Sequence, residues 1–134
     1  MEFFDTNIFV YAVSMAPEDQ AKRKIARELI AAHEIALSIQ VVQEFINTCS
    51  NKSRLGQSRE AVLRTVEIML SYPCAVPSAA LVRRAFAIQG RYQISYYDAA
   101  ILAAATELGC DTVYTEDLNH GQKYGTVKAV NPFL

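Results

Sequence analysis

The chain has 134 residues, enough for one domain that buries roughly two thirds of its unfolded surface and needs no disulfide staple. Apolar residues make up 51% and charged residues 20%, an ordinary globular composition slightly on the apolar side, with some apolar surface left over for a partner. The formal net charge of −1 excludes a global basic field for nucleic acid, although four carboxylates committed to a metal would leave the remaining surface net positive.

Residues 2–5 are a short apolar run ending in a carboxylate, the pattern of a buried strand, with a turn expected at Thr6 and Asn7 and a short helix or turn over 8–13. Pro17, Glu18 and Asp19 open a helix whose apolar stripe is Ile25, Leu29, Ile30 and Ala32. A second strand is predicted at 35–37, and Ser38 caps a helix over 39–50. Residues 51–58 are polar, contain Gly56 and read as a loop before helical periodicity returns over 58–70. Two prolines bound a short strand at 73–77. Ser78 and Ser95 cap helices running to about residue 90 and over 96–108, the latter stopped by Gly109. Strands at 111–115 and 126–130 close the chain, joined through Gly121 and Gly125. Strands alternating with helices predict a three-layer α/β/α domain spanning 1–134, with a mainly parallel sheet of about five strands.

Cys49, Cys74 and Cys110 are odd in number and match no zinc or redox spacing, so they read as small buried hydrophobes in a reducing compartment. No signal peptide precedes the first strand and no apolar run reaches membrane-spanning length, which predicts a cytoplasmic protein without a membrane partner. His33 and His120 are too isolated for a histidine metal site.

Four carboxylates carry the chemistry. In parallel sheets, ligands bind at the carboxyl ends of the strands, and Asp5 and Asp117 fall at or just beyond two such ends. Ordinary turn and cap chemistry is the structural alternative for both. Asp98 begins a helix that is apolar nearly all round, so its carboxylate is expected along a buried face, where an unpaired charge costs several kcal/mol. The spacing from Ser95 to Asp98 is also that of a capping box. Glu44 lies away from the Val42, Phe45, Ile46, Cys49 stripe of its helix and on its own reads as a solvated glutamate. Gathered carboxylates disfavour joint ionisation, and a divalent cation removes the conflict. All-oxygen ligation suits Mg²⁺ or Mn²⁺ rather than zinc.

These residues resemble the PIN-domain ribonucleases over essentially the whole chain, and in particular the VapC-like toxins of toxin–antitoxin pairs. The resemblance rests on Asp5-Thr-Asn, Glu44 in a helix, Tyr96-Tyr-Asp-Ala-Ala-Ile-Leu, and Thr115-Glu-Asp, with the endings Asp117-Leu-Asn-His-Gly and Val130-Asn-Pro-Phe. It implies that Asp5, Glu44, Asp98 and Asp117 form a catalytic cluster binding one or two Mg²⁺ or Mn²⁺ ions, with Thr115 orienting it and Asn7 lining it. Glu116 leaves two adjacent acids for one position, and the Thr-x-Asp spacing favours Asp117. The implied activity is metal-assisted endoribonuclease hydrolysis leaving a 5′-phosphate and a 3′-hydroxyl. An RNA substrate, a cognate antitoxin and a homodimer are the implied partners.

Lys52, Arg54, Arg59, Arg83, Arg84 and Arg91 are candidate backbone contacts, and Tyr96 and Tyr97 candidate stacking platforms, with solvated faces and core packing as their alternatives. A catalytically weak PIN-like RNA-binding or scaffold domain is the other reading of the chain. A phospho-aspartate domain with Asp5 as acceptor is a third, for which Lys123 is the nearest suitable lysine.

Overall fold

The computed structural model describes all of residues 1–134. Six strands form one sheet in the order β3-β2-β1-β4-β6-β5. They are β1 (Glu2–Phe4), β2 (Ile35–Ser38), β3 (Cys74–Ala75), β4 (Thr112–Tyr114), β5 (Lys123–Tyr124) and β6 (Val127–Val130). All neighbours pair in parallel except β5, which pairs antiparallel with β6. The expected strands are all present. The additional one, β5, is two residues long and lies inside the Gly121–Gly125 connection, too short to show any alternation.

Six helices cover the sheet: α1 (Thr6–Val13), α2 (Gln20–Ala32), α3 (Ile39–Asn51), α4 (Arg59–Leu70), α5 (Ala79–Tyr92) and α6 (Tyr96–Glu107). Steps from β1 to β2 to β3 run outward in one direction, carrying α1 to α4 with them. The return from β3 to β4 crosses back over β2 and β1 and carries α5 and α6. With right-handed crossovers, the reversal puts the second group on the opposite face, giving three layers. The reversal also makes the gap between β1 and β4 the topological switch point.

Serine caps fix the starts of α3, α4, α5 and α6, where Ser38, Ser58, Ser78 and Ser95 accept from the N–H three residues on. Thr6 and Asn7 belong to α1 rather than to a turn, because Asp5 itself caps that helix. The expected loop at 51–58 holds a short 3₁₀ turn, Ser53–Leu55, which Gly56 ends at φ 67°. A Cβ at Gly56 would also press to 3.1 Å on Met15.

The core joins Phe3 and Phe4 of β1 with Leu37, Val41, Phe45, Val113 and Val127. Ile101, Leu102, Ala104 and Ala105 of α6 pack into it, while Ala100 and Ala103 turn the other way against Ala85 of α5. This sandwiching between sheet and α5 explains why α6 is apolar all round, and why so many of its residues are alanine. Ala103→Leu is expected to cost about 1–3 kcal/mol through overpacking of the α5–α6 contact, read as a lower urea midpoint. An unchanged midpoint would show that the two helices part without loss.

Candidate functional site

The carboxyl ends of β1 and β4 meet at the switch point, tied by the Asp5 N–H donating to the Tyr114 carbonyl at 3.0 Å. Asp5 follows β1 directly and is 4% exposed. Its Oδ1 accepts from the Thr6 N–H at 2.7 Å and its Oδ2 from the Thr115 hydroxyl at 2.7 Å. Thr115 is fully buried just past β4, and its Oγ1 in turn accepts from the Asp117 N–H at 3.1 Å. One hydroxyl therefore fixes both a carboxylate after β1 and the loop that carries Asp117.

Glu44 projects from α3 toward the same place. Its Oε2 accepts from the Thr6 hydroxyl at 2.6 Å and its Oε1 from Gln40 Nε2 at 2.8 Å. Gln40 Nε2 also donates to the Tyr97 carbonyl at 3.2 Å, joining α3 to the first turn of α6, where Asp98 sits. Asn7 Nδ2 donates to Asp117 Oδ2 at 3.2 Å, and Asn7 Oδ1 is buried without any partner.

The electrostatics show that all four acids share one field. Burial raises the Asp5 carboxyl to about 7; the bonds from Thr115 and Thr6 oppose this, and the charges of Asp117 and Glu44 add to it. Asp117 is raised by burial, then by Asp98 and Glu116, with Asn7 opposing and Glu44 adding. Asp98 is raised by burial and by Glu44, against the Ser95 hydroxyl. Every member thus bears on at least one other.

The expectation of a buried Asp98 needs correction. The carboxylate is only half-buried, because the first turn of α6 emerges at the end of the sheet although the rest of the helix is enclosed. Ser95 caps the Asp98 N–H, but the Asp98 carboxylate does not bond back to the Ser95 N–H, so only half of a capping box forms. Asp5 is the carboxylate that is truly enclosed.

The two adjacent acids after Thr115 separate clearly. Glu116 accepts from the Tyr11 hydroxyl at 2.6 Å and pairs with Lys22 Nζ at 3.0 Å, while Asp117 faces Asn7. Tyr11, Lys22, Thr6 and Gln40 are supporting residues that sequence reasoning missed. Glu116 lies 94 residues from Lys22 and 105 from Tyr11, and no local pattern signals such pairs.

A cleft of about 300 Å³ opens here, lined by Asn7, Glu44, Lys52, Arg54, Glu116 and Asp117 among others. Larger hollows of about 780 and 660 Å³ lie along α2 and between α3 and α4, away from the acidic group. Arg59 lines the α3–α4 hollow, and Arg84 and Arg91 line another beside Tyr124. Of the candidate cations, only Lys52 and Arg54 line the cleft that holds Glu44 and Asp117. Tyr97 is exposed, whereas Tyr96 packs against the α5–α6 alanines. Lys123 pairs with Lys128, level with the amino end of β4, so it stands at the opposite end of the sheet from Asp5 and cannot serve a phospho-aspartate site.

No three His, Cys, Asp or Glu side chains stand close enough in this conformation to close around one ion. The donor chemistry nonetheless fits a hard cation: the grouped acids are all oxygen donors, their carboxyls are raised chiefly by burial with their mutual charges adding to it, and Asn7 Oδ1 is a buried acceptor without a partner.

Among known proteins, a sequence model of the PIN domain matches residues 3–125. No curated protein sequence matches significantly. Among solved structures, the fold is similar to a toxin–antitoxin complex from Klebsiella pneumoniae, at 20% identity and TM-score 0.71 over 98% of both chains. It is also similar to VapC20 of Mycobacterium tuberculosis, a sarcin-ricin loop cleaving toxin, at 22% identity and TM-score 0.70 over 87% of this chain and 90% of that one. A third likeness is VapBC2 from Rickettsia felis, bound to a DNA fragment from its promoter, at 19% identity and TM-score 0.62 over 96% of each chain. At these identities the likeness is one of fold.

Proposed function

Because this chain belongs to the PIN-domain family, we propose that it is a divalent-metal-dependent endoribonuclease and the toxin of a toxin–antitoxin pair. What supports this reading is that the charges of Asp5, Glu44, Asp98 and Asp117 act on one another around the switch point, with Asp5 enclosed and its carboxyl raised to about 7. Asp5, Glu44, Asp98 and Asp117 would hold Mg²⁺ or Mn²⁺. When bound, such an ion supplies an acidified water and polarises a phosphoryl oxygen.

The chain's own residues do the rest. Thr115 and the Thr6 N–H hold Asp5 with both oxygens directed. Thr6 and Gln40 hold Glu44, and Asn7 holds Asp117. Lys22 and Tyr11 draw Glu116 aside, which favours Asp117 as the fourth acid. Hydrolysis would leave a 5′-phosphate and a 3′-hydroxyl, as the family analogy implies. The toxin–antitoxin neighbours support a protein antitoxin as partner, and exposed Ile46, Leu63, Val82 and Phe86 offer apolar surface for it or for a second copy. No helix is long and apolar enough to cross a membrane, in keeping with a cytoplasmic role.

The test is incubation of purified protein with structured RNAs in Mg²⁺, in Mn²⁺ and in EDTA, beside Asp98→Asn. Cleavage should require the cation, and Asp98→Asn should lower the rate at least about a hundredfold, since even outer partners of metal ligands are worth 10–100-fold. Equal behaviour of both proteins in all conditions would leave the scaffold reading in its place.

A further inference from the structure

Asp19 is a buried carboxylate that the acidic cluster does not use. It is 7% exposed, at the end of the 3₁₀ turn Pro17–Asp19, and its Oδ2 accepts from the fully buried Ser14 hydroxyl at 2.6 Å and from Arg54 Nη1 at 2.8 Å. Arg54 is 47% exposed, and an ion pair with a solvent-exposed member contributes little to stability, so stability alone gives little reason to keep one here. What the pair does achieve is placement. Arg54 belongs to the turn Ser53–Leu55, and its side chain lines the same cleft as Glu44 and Asp117. Only Nη1 is engaged, by Asp19 and at 3.5 Å by Glu18, so Nε and Nη2 have no partner within the chain. Lys52, two residues earlier, lines the cleft too and forms no ion pair.

We propose that Lys52 and Arg54 form a phosphate subsite in the same cleft as Glu44 and Asp117, with Asp19 as the positioning residue that holds Arg54 there. The inference rests on the nuclease reading and names how its substrate is held. The ligand is a backbone phosphate of single-stranded RNA next to the bond to be cut. The carboxylates repel a polyanion, and two cations lining the same cleft give the approaching strand an attractive contact and a register. The free Nη2 and Nε of Arg54 present two donors, the arrangement that suits a phosphate.

The experiment measures anisotropy of a fluorescein-labelled, mixed-sequence single-stranded RNA with the Asp98→Asn protein in Mg²⁺ across a salt series. Each lost phosphate contact should flatten the plot of log affinity against log salt by about 0.7. Arg54→Gln is expected to flatten it by that amount, Lys52→Gln likewise, and the pair by about 1.4. Arg54→Lys should keep the slope, and Asp19→Asn should weaken binding severalfold while keeping the slope, because the charge remains and only its placement is lost. In the Asp98-intact protein, Arg54→Gln should raise KM about tenfold with kcat little changed, the pattern of lost uniform binding. Circular dichroism of each variant separates misfolding from lost contact. Unchanged slopes in folded Arg54→Gln and Lys52→Gln would overturn the subsite while leaving the nuclease reading intact. Failure of the parent to bind or cut any RNA would overturn both.

Discussion

Asp5→Asn should make the metal-free protein more stable and catalytically inert. An aspartate in the unfolded chain titrates near 3.8, whereas burial holds Asp5 at about 7 in the folded one. Between these values the folded state keeps a proton that the unfolded state has released, so stability from this group falls as pH rises from about 4 to about 7 and stays low above. The full difference corresponds to roughly 4 kcal/mol. Asparagine keeps the shape, accepts from the Thr6 N–H and can donate to Thr115 Oγ1, so about 2 kcal/mol of that loss should be recovered at pH 8. The check is thermal melting in EDTA at pH 5 and pH 8. Wild type should lose stability between them relative to Asp5→Asn, and Mg²⁺ should raise the wild-type melting temperature alone. A variant less stable than wild type at pH 8 in EDTA would show that the carboxylate is already well satisfied without a cation.

Thr115→Val is the second large effect, and it acts in the opposite sense on stability. Valine matches the shape but removes the donor to Asp5 Oδ2 and the acceptor for the Asp117 N–H in one step. Two polar groups then lose their partners, at a cost of about 2–4 kcal/mol. With the hydroxyl gone, the main force lowering the Asp5 carboxyl disappears and it should rise further above 7. RNA cleavage is expected to fall about 10- to 100-fold, with the alkaline side of its pH profile needed for what remains. Thr115→Ser should retain most of both properties. If valine and serine behave alike, the hydroxyl is not what couples β4 to the site.

Much of this was legible beforehand because local chemistry and the parallel-sheet rule act together. The serine caps at 38, 78 and 95 mark helix starts that the structure reproduces within a residue, and periodicity alone places the start of α4 at 58, where Ser58 proves to be its cap. The places of Asp5 and Asp117 at or just beyond strand carboxyl ends are legible from sequence, whereas the adjacency of β1 and β4 that makes a switch point there comes from the strand order. The burial of Asp98 was misjudged for a specific reason: helical periodicity describes which face a side chain takes, not how far along the axis the protein extends to cover it. Thr6 and Gln40 beside Glu44, and Lys22 beside Glu116, were invisible because their roles arise from chain crossings rather than from spacing. The same holds for Asp19, which looked like a helix-start acid and instead anchors an arginine 35 residues on.

Both ends of the sheet are short. β3 has two residues, and β5 has two, with an exposed lysine in one of them. A foreign strand laid along either edge could gain only a couple of ladder bonds before running out of template. Assembly by continuation of the sheet is therefore disfavoured at both edges, whether toward a neighbour or toward a fibril. Association is left to the helical layers, where Phe86 stands 71% exposed on α5 and Leu63 58% exposed on α4. Contacts made there are between side chains, so partner choice can be altered one residue at a time without disturbing the backbone ladder that holds β1 and β4 together.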